Sequence, residues 1–166
     1  YNSEKISCQF HPNCSLYGAR AIHSKGAVAG SIITYDRIVR CNESALFNHN
    51  AMGGSFHSDG RLIDPLDHSL MQNDKSPVFA ATISAVLPGS GRAYGGRMIM
   101  DGIYGFMFWA MTISLAEKSI KRQSALSPIF VGMAAIVHVG EIYGAYRTAK
   151  YYQPPLKSSD LKSKPE

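Results

Sequence analysis

Two apolar runs decide the fold: residues 98–116, MIMDGIYGFMFWAMTISLA, and residues 125–149, ALSPIFVGMAAIVHVGEIYGAYRTA. A helix of about 20 apolar residues crosses the ~30 Å hydrocarbon core of a bilayer, and both runs have roughly that length. Between them EKSIKRQS, residues 117–124, is a short polar connector, so the spacing predicts an antiparallel helical hairpin. The first run holds Asp101 near its start. The second holds His138 and Glu141, three apart on one helical face, where a hydrogen-bonded pair is expected because an ionisable group in an apolar layer needs a partner. A buried hairpin of a soluble protein is the competing reading; few residues remain to cover two such helices on all sides.

Ahead of the hairpin, PVFAATISAVL (77–87) is apolar but too short to span, which predicts an interfacial or re-entrant segment. LPGSGRAYGG (87–96) then packs Pro88, Gly89, Gly91, Gly95 and Gly96 around Tyr94, the composition of a tight irregular bend. The tail QPPLKSSDLKSKPE (153–166) has the Pro, Lys and Ser content of a disordered segment.

Charge follows the same division. The chain has 166 residues, 45% hydrophobic and 17% charged, with a net charge of +5, and a mean hydropathy of −0.09. Collagen-like, coiled-coil and fully disordered classes are excluded. Seven basic side chains balance seven acidic ones up to residue 76; six face three over 77–149, and four face two from Lys150 onward. The excess positive charge therefore surrounds the apolar half, which suits an anionic lipid surface and not nucleic acid. Arg92, Arg97, Arg147 and Lys150 at the hairpin ends outnumber Lys118, Lys121 and Arg122 in the connector, and the lysines of the tail add to them, which predicts cytoplasmic ends.

The polar half has its own punctuation. SLYGARAIHSKG (15–26) opens on Ser15 as an N-cap, places Leu16, Ala19 and Ile22 at helical spacing and stops at Gly26. AVAGSIITYDRIVR (27–40) predicts a second amphipathic helix with Val28, Ile32, Tyr35 and Val39 on one stripe, and with Asp36, Arg37 and Arg40 largely off it. Residues 41–73 show little periodicity and read as a long loop. The chain opens on Tyr1, and a lost leader or N-terminal helix is expected upstream.

Three cysteines, Cys8, Cys14 and Cys41, exclude a disulfide framework. With His11 they offer three sulfurs and one nitrogen to a tetrahedral zinc, although the paired-cysteine spacing of the strong zinc signatures is missing; half-buried thiols packing a loop are the plainer reading. His57, Asp59, Asp64, Asp67 and His68 lie together in the polar loop, where solvated charge is the default. No phosphate loop, nucleophile elbow or dinucleotide fingerprint is present, so neither catalysis nor a cofactor is expected.

The run CQFHPNCS from Cys8 to Ser15, with Phe10 and Pro12 between the cysteines, then Tyr17, Gly26, Gly30, DRIVRCN from Asp36 to Asn42 and Asp64-Pro65, resembles the membrane protein insertion efficiency factor family (YidD). The resemblance is close to residue 42 and looser to residue 66: ESALFNHNAMGGSFHSDGRLI (43–63) lengthens the family's compact loop, and His11 stands where an aromatic is common. It implies a small helical, non-enzymatic accessory factor at the inner face of the bacterial membrane, near the Sec translocon and a YidC-type insertase. The segment with Pro88, Gly89, Gly91, Tyr94 and Gly96 resembles a bacterial two-helix membrane domain marked by Leu-Pro-Gly-x-Gly-x-x-Tyr-x-Gly.

The sequence thus predicts an all-α protein: a cysteine-containing helical domain over 1–66, a linker over 67–76, a transmembrane hairpin domain over 77–152 and a disordered tail over 153–166. Arg37 and Arg40 are expected to face anionic lipid, the insertase or nascent membrane proteins, and Cys8, Cys14 and Cys41 to hold the leading loop to the second helix. The rival, from another class, is a membrane-anchored metal- or redox-binding structural module of the envelope.

Overall fold

Asn13 begins the first helix. In a computed structural model describing residues 8–51, 54–64, 75–96 and 99–151, the Asn13 Oδ1 accepts the Leu16 amide at 2.9 Å and the Ser15 hydroxyl at 3.1 Å. Helix α1 (Cys14–Lys25) therefore has Asn13 as its cap; Ser15, expected in that role, lies one residue inside the helix, with its hydroxyl spent on the capping side chain. At φ +83°, Gly26 returns its amide to the Ile22 carbonyl at 2.9 Å and ends α1. Helix α2 (Ala27–Arg40) starts at once. The two pack closely because Gly30 carries no side chain: a Cβ there would lie 2.5 Å from the Ile22 backbone.

The segment after α2 is more ordered than its composition predicts. Asn42 donates to the Val39 carbonyl at 2.9 Å and accepts from the Ser44 amide at 2.9 Å, and this turn launches α3 (Ala45–Ala51). Leu62–Ile63 (β2) then pairs in parallel with Phe10–His11 (β1), Phe10 opposite Leu62 and His11 opposite Ile63. This two-stranded ladder is a small exception to the all-α expectation. Phe10, Ala45 and Leu62 form a core cluster there, with Cys8 and Cys41 packed against it.

In the C-terminal half α4 (Pro77–Val86) is capped by Ser76, whose hydroxyl accepts from the Phe79 amide at 3.3 Å. The expected bend is built from Gly89 and Gly96, at φ +89° and +92°, and encloses a single helical turn, α5 (Ser90–Tyr94). Helices α6 (Ile99–Lys121) and α7 (Ser127–Tyr151) follow and pack on one another. Among the described residues one helix, α7, is long and apolar enough to cross a membrane; α6, the other helix of the expected transmembrane hairpin, does not reach that measure over its described part. Helices α2, α4, α5 and α6 all contact α7. Two cores join the halves to it: Tyr35, Val39 and Val137 beside Tyr104, Phe108 and Trp109, and Ala80, Ala145 and Ala149 beside Tyr94. Pro65, Asp67, His68 and the tail over 153–166 lie outside the described residues.

Candidate functional site

The interior between α2 and α7 is ionic. Three arginines converge on Asp36 of α2: Arg92 Nη1 reaches Oδ1 at 2.8 Å, while Arg40 Nε and Arg147 Nη1 reach Oδ2 at 3.0 and 3.3 Å. Asp64, just beyond β2, takes Arg40 Nη1 at 2.9 Å and lies 3.6 Å from Arg37 Nε. Glu141 of α7 accepts from Arg92 Nε at 3.2 Å and from the Tyr35 hydroxyl at 2.9 Å. Asp36, Arg37, Arg92 and Glu141 are essentially inaccessible to solvent. Charges removed from water this completely are tolerated only when paired and hydrogen-bonded, and each of these has such partners from a distant part of the chain.

This geometry corrects the expectation for Arg37 and Arg40. Neither faces lipid or a partner: Arg37 is 0% exposed, donates to the Asp64 and Pro12 carbonyls at 2.8 and 2.7 Å, and lies 4.0 Å from the centroid of the buried Tyr17 ring and 4.9 Å from that of Phe10. Asp64 draws both arginines inward, and Asp36, four residues earlier on the same helix, adds a second anchor for Arg40. Burial by itself would raise the Asp36 pKa, but the surrounding Arg40, Arg92 and Arg147 overcome it and hold the carboxyl well below the usual carboxylate range. Burial pushes the Tyr17 phenol up to about 12.

The stripe Leu16, Ala19 and Ile22 on α1 points outward, while Tyr17, Gly18 and Ala21 face α2. Val28 is 69% exposed. The expected His138–Glu141 pairing gives way to the bonds from Tyr35 and Arg92, because Glu141 faces α2 and α5; the His138 ring centroid lies 6.4 Å from that of Trp109. In the glycine-rich motif Pro88, Gly89 and Gly91 are buried. A Cβ on Gly91 would collide with the Ala80 carbonyl, Ala145 and Ser84, so this glycine lets α5 lie against α4 and α7. Tyr94 is half-buried, edge-on to Phe79 at 5.1 Å, and its carbonyl accepts from Lys75 at 2.6 Å.

A second cluster is built of thiols. Cys8 precedes β1, Cys14 opens α1 and Cys41 caps the C-terminus of α2. Their three sulfurs lie within 4.8 Å of one another, with Cys8 and Cys14 at 3.2 Å. Hydrogen bonding with Cys14 lowers the Cys41 thiol to about 6 and correspondingly raises that of Cys14. His11, proposed as the fourth ligand of a zinc set, is not part of this cluster. Its ring stacks on His57 at 3.9 Å and its Nδ1 lies 3.1 Å from Arg61. The polar-loop acids and histidines also separate: Asp59 stays outside with His57 and Arg61, and Asp64 turns into the core.

Sequence reasoning missed Tyr35, Asp36, Arg92, Glu141 and Arg147 as members of one site, and Asn42 and Asp101 as a further link between the halves, 2.5 Å apart. The available signal was a lone acid, Glu141, in an apolar helix and a lone arginine, Arg92, inside a glycine motif.

Residues 2–63 match a family described as "Putative membrane protein insertion efficiency factor" (YidD). Relatives bearing that description include one from Exiguobacterium sp., 51% identical over 35 residues, or 21% of this chain and 39% of that protein. Another, from Streptomyces avermitilis, is 38% identical over 66 residues, 40% of this chain and 50% of its own. A third, from Oleidesulfovibrio alaskensis, is 33% identical over 57 residues, 34% and 66% respectively. The matches thus span between 39% and 66% of these relatives' length. No solved structure matches the chain. The family match ends before α4, so the Leu87–Gly96 motif lies outside it. Over residues 2–63, with its cysteine run and paired helices α1 and α2, this chain is similar to the membrane protein insertion efficiency factor family.

Proposed function

We propose that this chain is a membrane-embedded accessory factor that assists the insertion of integral membrane proteins and carries no catalytic step of its own. The observation that carries the reading is the apolar exterior of α6 and α7. Met107, Met111, Ile120, Leu126, Ile129 and Met133 all stand exposed along the length of the pair, and exposed apolar surface of this kind marks a membrane or partner contact. Lipid covers it most simply, and α7 has the length to span.

The N-terminal part then sits at the headgroup level. Its outward face combines Leu16, Ala19, Ile22 and Val28 with Arg20 and His23, an apolar surface edged with basic groups of the kind that binds anionic lipid. On this reading the outward face of α1, and not the buried Arg37 and Arg40, meets lipid or a partner. Its partners on this reading are membrane lipid, nascent membrane proteins and the Sec translocon with its YidC-type insertase. The setting is the bacterial inner membrane, with the N-terminal part and the α6 start and α7 end on the cytoplasmic side, next to Arg92, Arg147 and Lys150.

Photocrosslinking from positions 20 and 22 in cells tests it. Capture of an insertase or translocon subunit, together with slower insertion of pulse-labelled membrane proteins when the chain is depleted, is the expected result. Unchanged insertion on depletion sinks the proposal. For orientation, Ala19→Cys in the exposed α1 face is expected to resist an impermeant maleimide in intact cells; labelling above the parent chain overturns the cytoplasmic placement.

A further inference from the structure

We infer that Cys8, Cys14 and Cys41 form a three-sulfur site for a single zinc(II) ion, with the fourth position left to water or an exchangeable ligand. The three thiols come from three separate elements and converge within 4.8 Å, half-buried, where a packing role alone requires no such convergence. Zinc bonded to thiolate at ~2.3 Å in tetrahedral geometry sets sulfur–sulfur separations near 3.8 Å. The Cys8–Cys14 separation of 3.2 Å therefore has to widen by about 0.6 Å, and all three sulfurs already lie within 4.8 Å of one another.

The surroundings suit such an ion. Cys14 is the first residue of α1, where the helix dipole and free amides favour negative charge; what raises its thiol is hydrogen bonding with Cys41 together with burial, and a metal ion would replace that hydrogen bond. The Gln9 backbone favours the charged form of Cys41, as an outer-shell group beside a metal thiolate does. Arg37 interacts electrostatically with both Cys14 and Cys41; three thiolates with zinc carry a net charge of −1, which this guanidinium offsets. Among the described residues no histidine or carboxylate joins the cluster, and His11 is engaged with His57 and Arg61. The ion would tie the segment before β1 to the start of α1 and the end of α2. This site is separate from the insertion role and is read out independently of it.

The test uses the full chain purified in detergent under reducing conditions without chelator. Elemental analysis is expected to give about one zinc per chain, and cobalt(II) substitution to give the thiolate charge-transfer absorption of a three-sulfur tetrahedral site. Cys41→Ser and Cys14→Ser each lose zinc affinity by about tenfold or more, measured by chelator competition, whereas His11→Ala keeps it. Should a cysteine variant fail to fold, the cobalt spectrum and the competition titration of the unaltered chain still decide. Three reactive thiols with under a tenth of an equivalent of zinc, or a Cys8–Cys14 disulfide with no metal, overturn the inference. So does loss of zinc in His11→Ala.

Discussion

Asp36 is the residue on which the two halves of the chain agree, since Arg40 reaches it from its own helix, Arg92 from α5 and Arg147 from α7. Asp36→Asn preserves the shape but removes the negative charge that offsets three cations. Breaking a buried ionic set from one side costs about 3–5 kcal/mol, so the urea midpoint of the variant in detergent is expected to fall sharply. Arg92→Met has a comparable effect because it strands Glu141; the double variant Arg92→Met with Glu141→Gln is expected to recover part of the loss, because it removes the buried charge left without its cation. With Glu141→Gln as the second single variant, losses that simply add in the double variant would mean that the Arg92–Glu141 bond contributes nothing. The pH dependence follows from the depressed Asp36 pKa. A carboxyl ionised more readily in the folded chain adds stability that is complete above its unfolded pKa of about 3.9 and is lost as pH falls toward the lower folded value. The Asp36 contribution should therefore be constant between about pH 7 and 5 and fall below about pH 4, and that acid slope should shrink in Asp36→Asn. The charges of Arg37 and Arg40 were visible in the sequence and their destination was not: Asp64 lies 24 residues beyond Arg40 and Arg147 lies 111 beyond Asp36, separations that helical spacing does not report.

At the scale of elements, local signals governed what could be read. Gly26 separates α1 from α2, a polar connector separates α6 from α7, and all four helices were legible because each is long enough to show periodicity or sustained apolarity. Helix α3, of seven residues, and the two-residue strands β1 and β2 were not: they are too short to carry a pattern, and they exist because Asn42 organises a turn and because Leu62 packs on Phe10. The α1–α2 contact rests on a missing side chain. Gly30→Ala places a methyl 2.5 Å from the Ile22 backbone, which cannot yield as a flexible side chain does, so a destabilisation of about 1–3 kcal/mol is expected by chemical denaturation. Gly132→Ala on α7 meets nothing within 4 Å and is expected to be neutral or slightly stabilising, since alanine suits a helix better. If the two glycine variants behave alike, close approach is not what fixes Gly30.

The whole molecule is organised around α7, which contacts α2 at one side and α4 and α5 at another while exposing apolar side chains between. The sequence anticipated a helical unit beside a hairpin, and the ion network adds a mechanical consequence. Any force that tilts α7 must also move Asp36 and Tyr35, because Arg147 and Glu141 hold them at 3.3 and 2.9 Å. A fragment of residues 1–76 tests how far the N-terminal part depends on this. Cut there, Asp36 keeps Arg40 but loses Arg92 and Arg147, and the ring of Tyr35 and the side chain of Val39 lose Val137 and its neighbours. Exposing two such side chains forfeits a few kcal/mol of burial, about 1.5–3 kcal/mol each, which is comparable to the stability margin of a domain this small. The fragment is expected to show a lower and broader thermal transition by circular dichroism than the full chain, even with zinc supplied to its cysteines. A fragment that unfolds cooperatively at the full chain's midpoint would mean that the halves are merely tethered, and motion of α7 would then have no grip on α1 and α2.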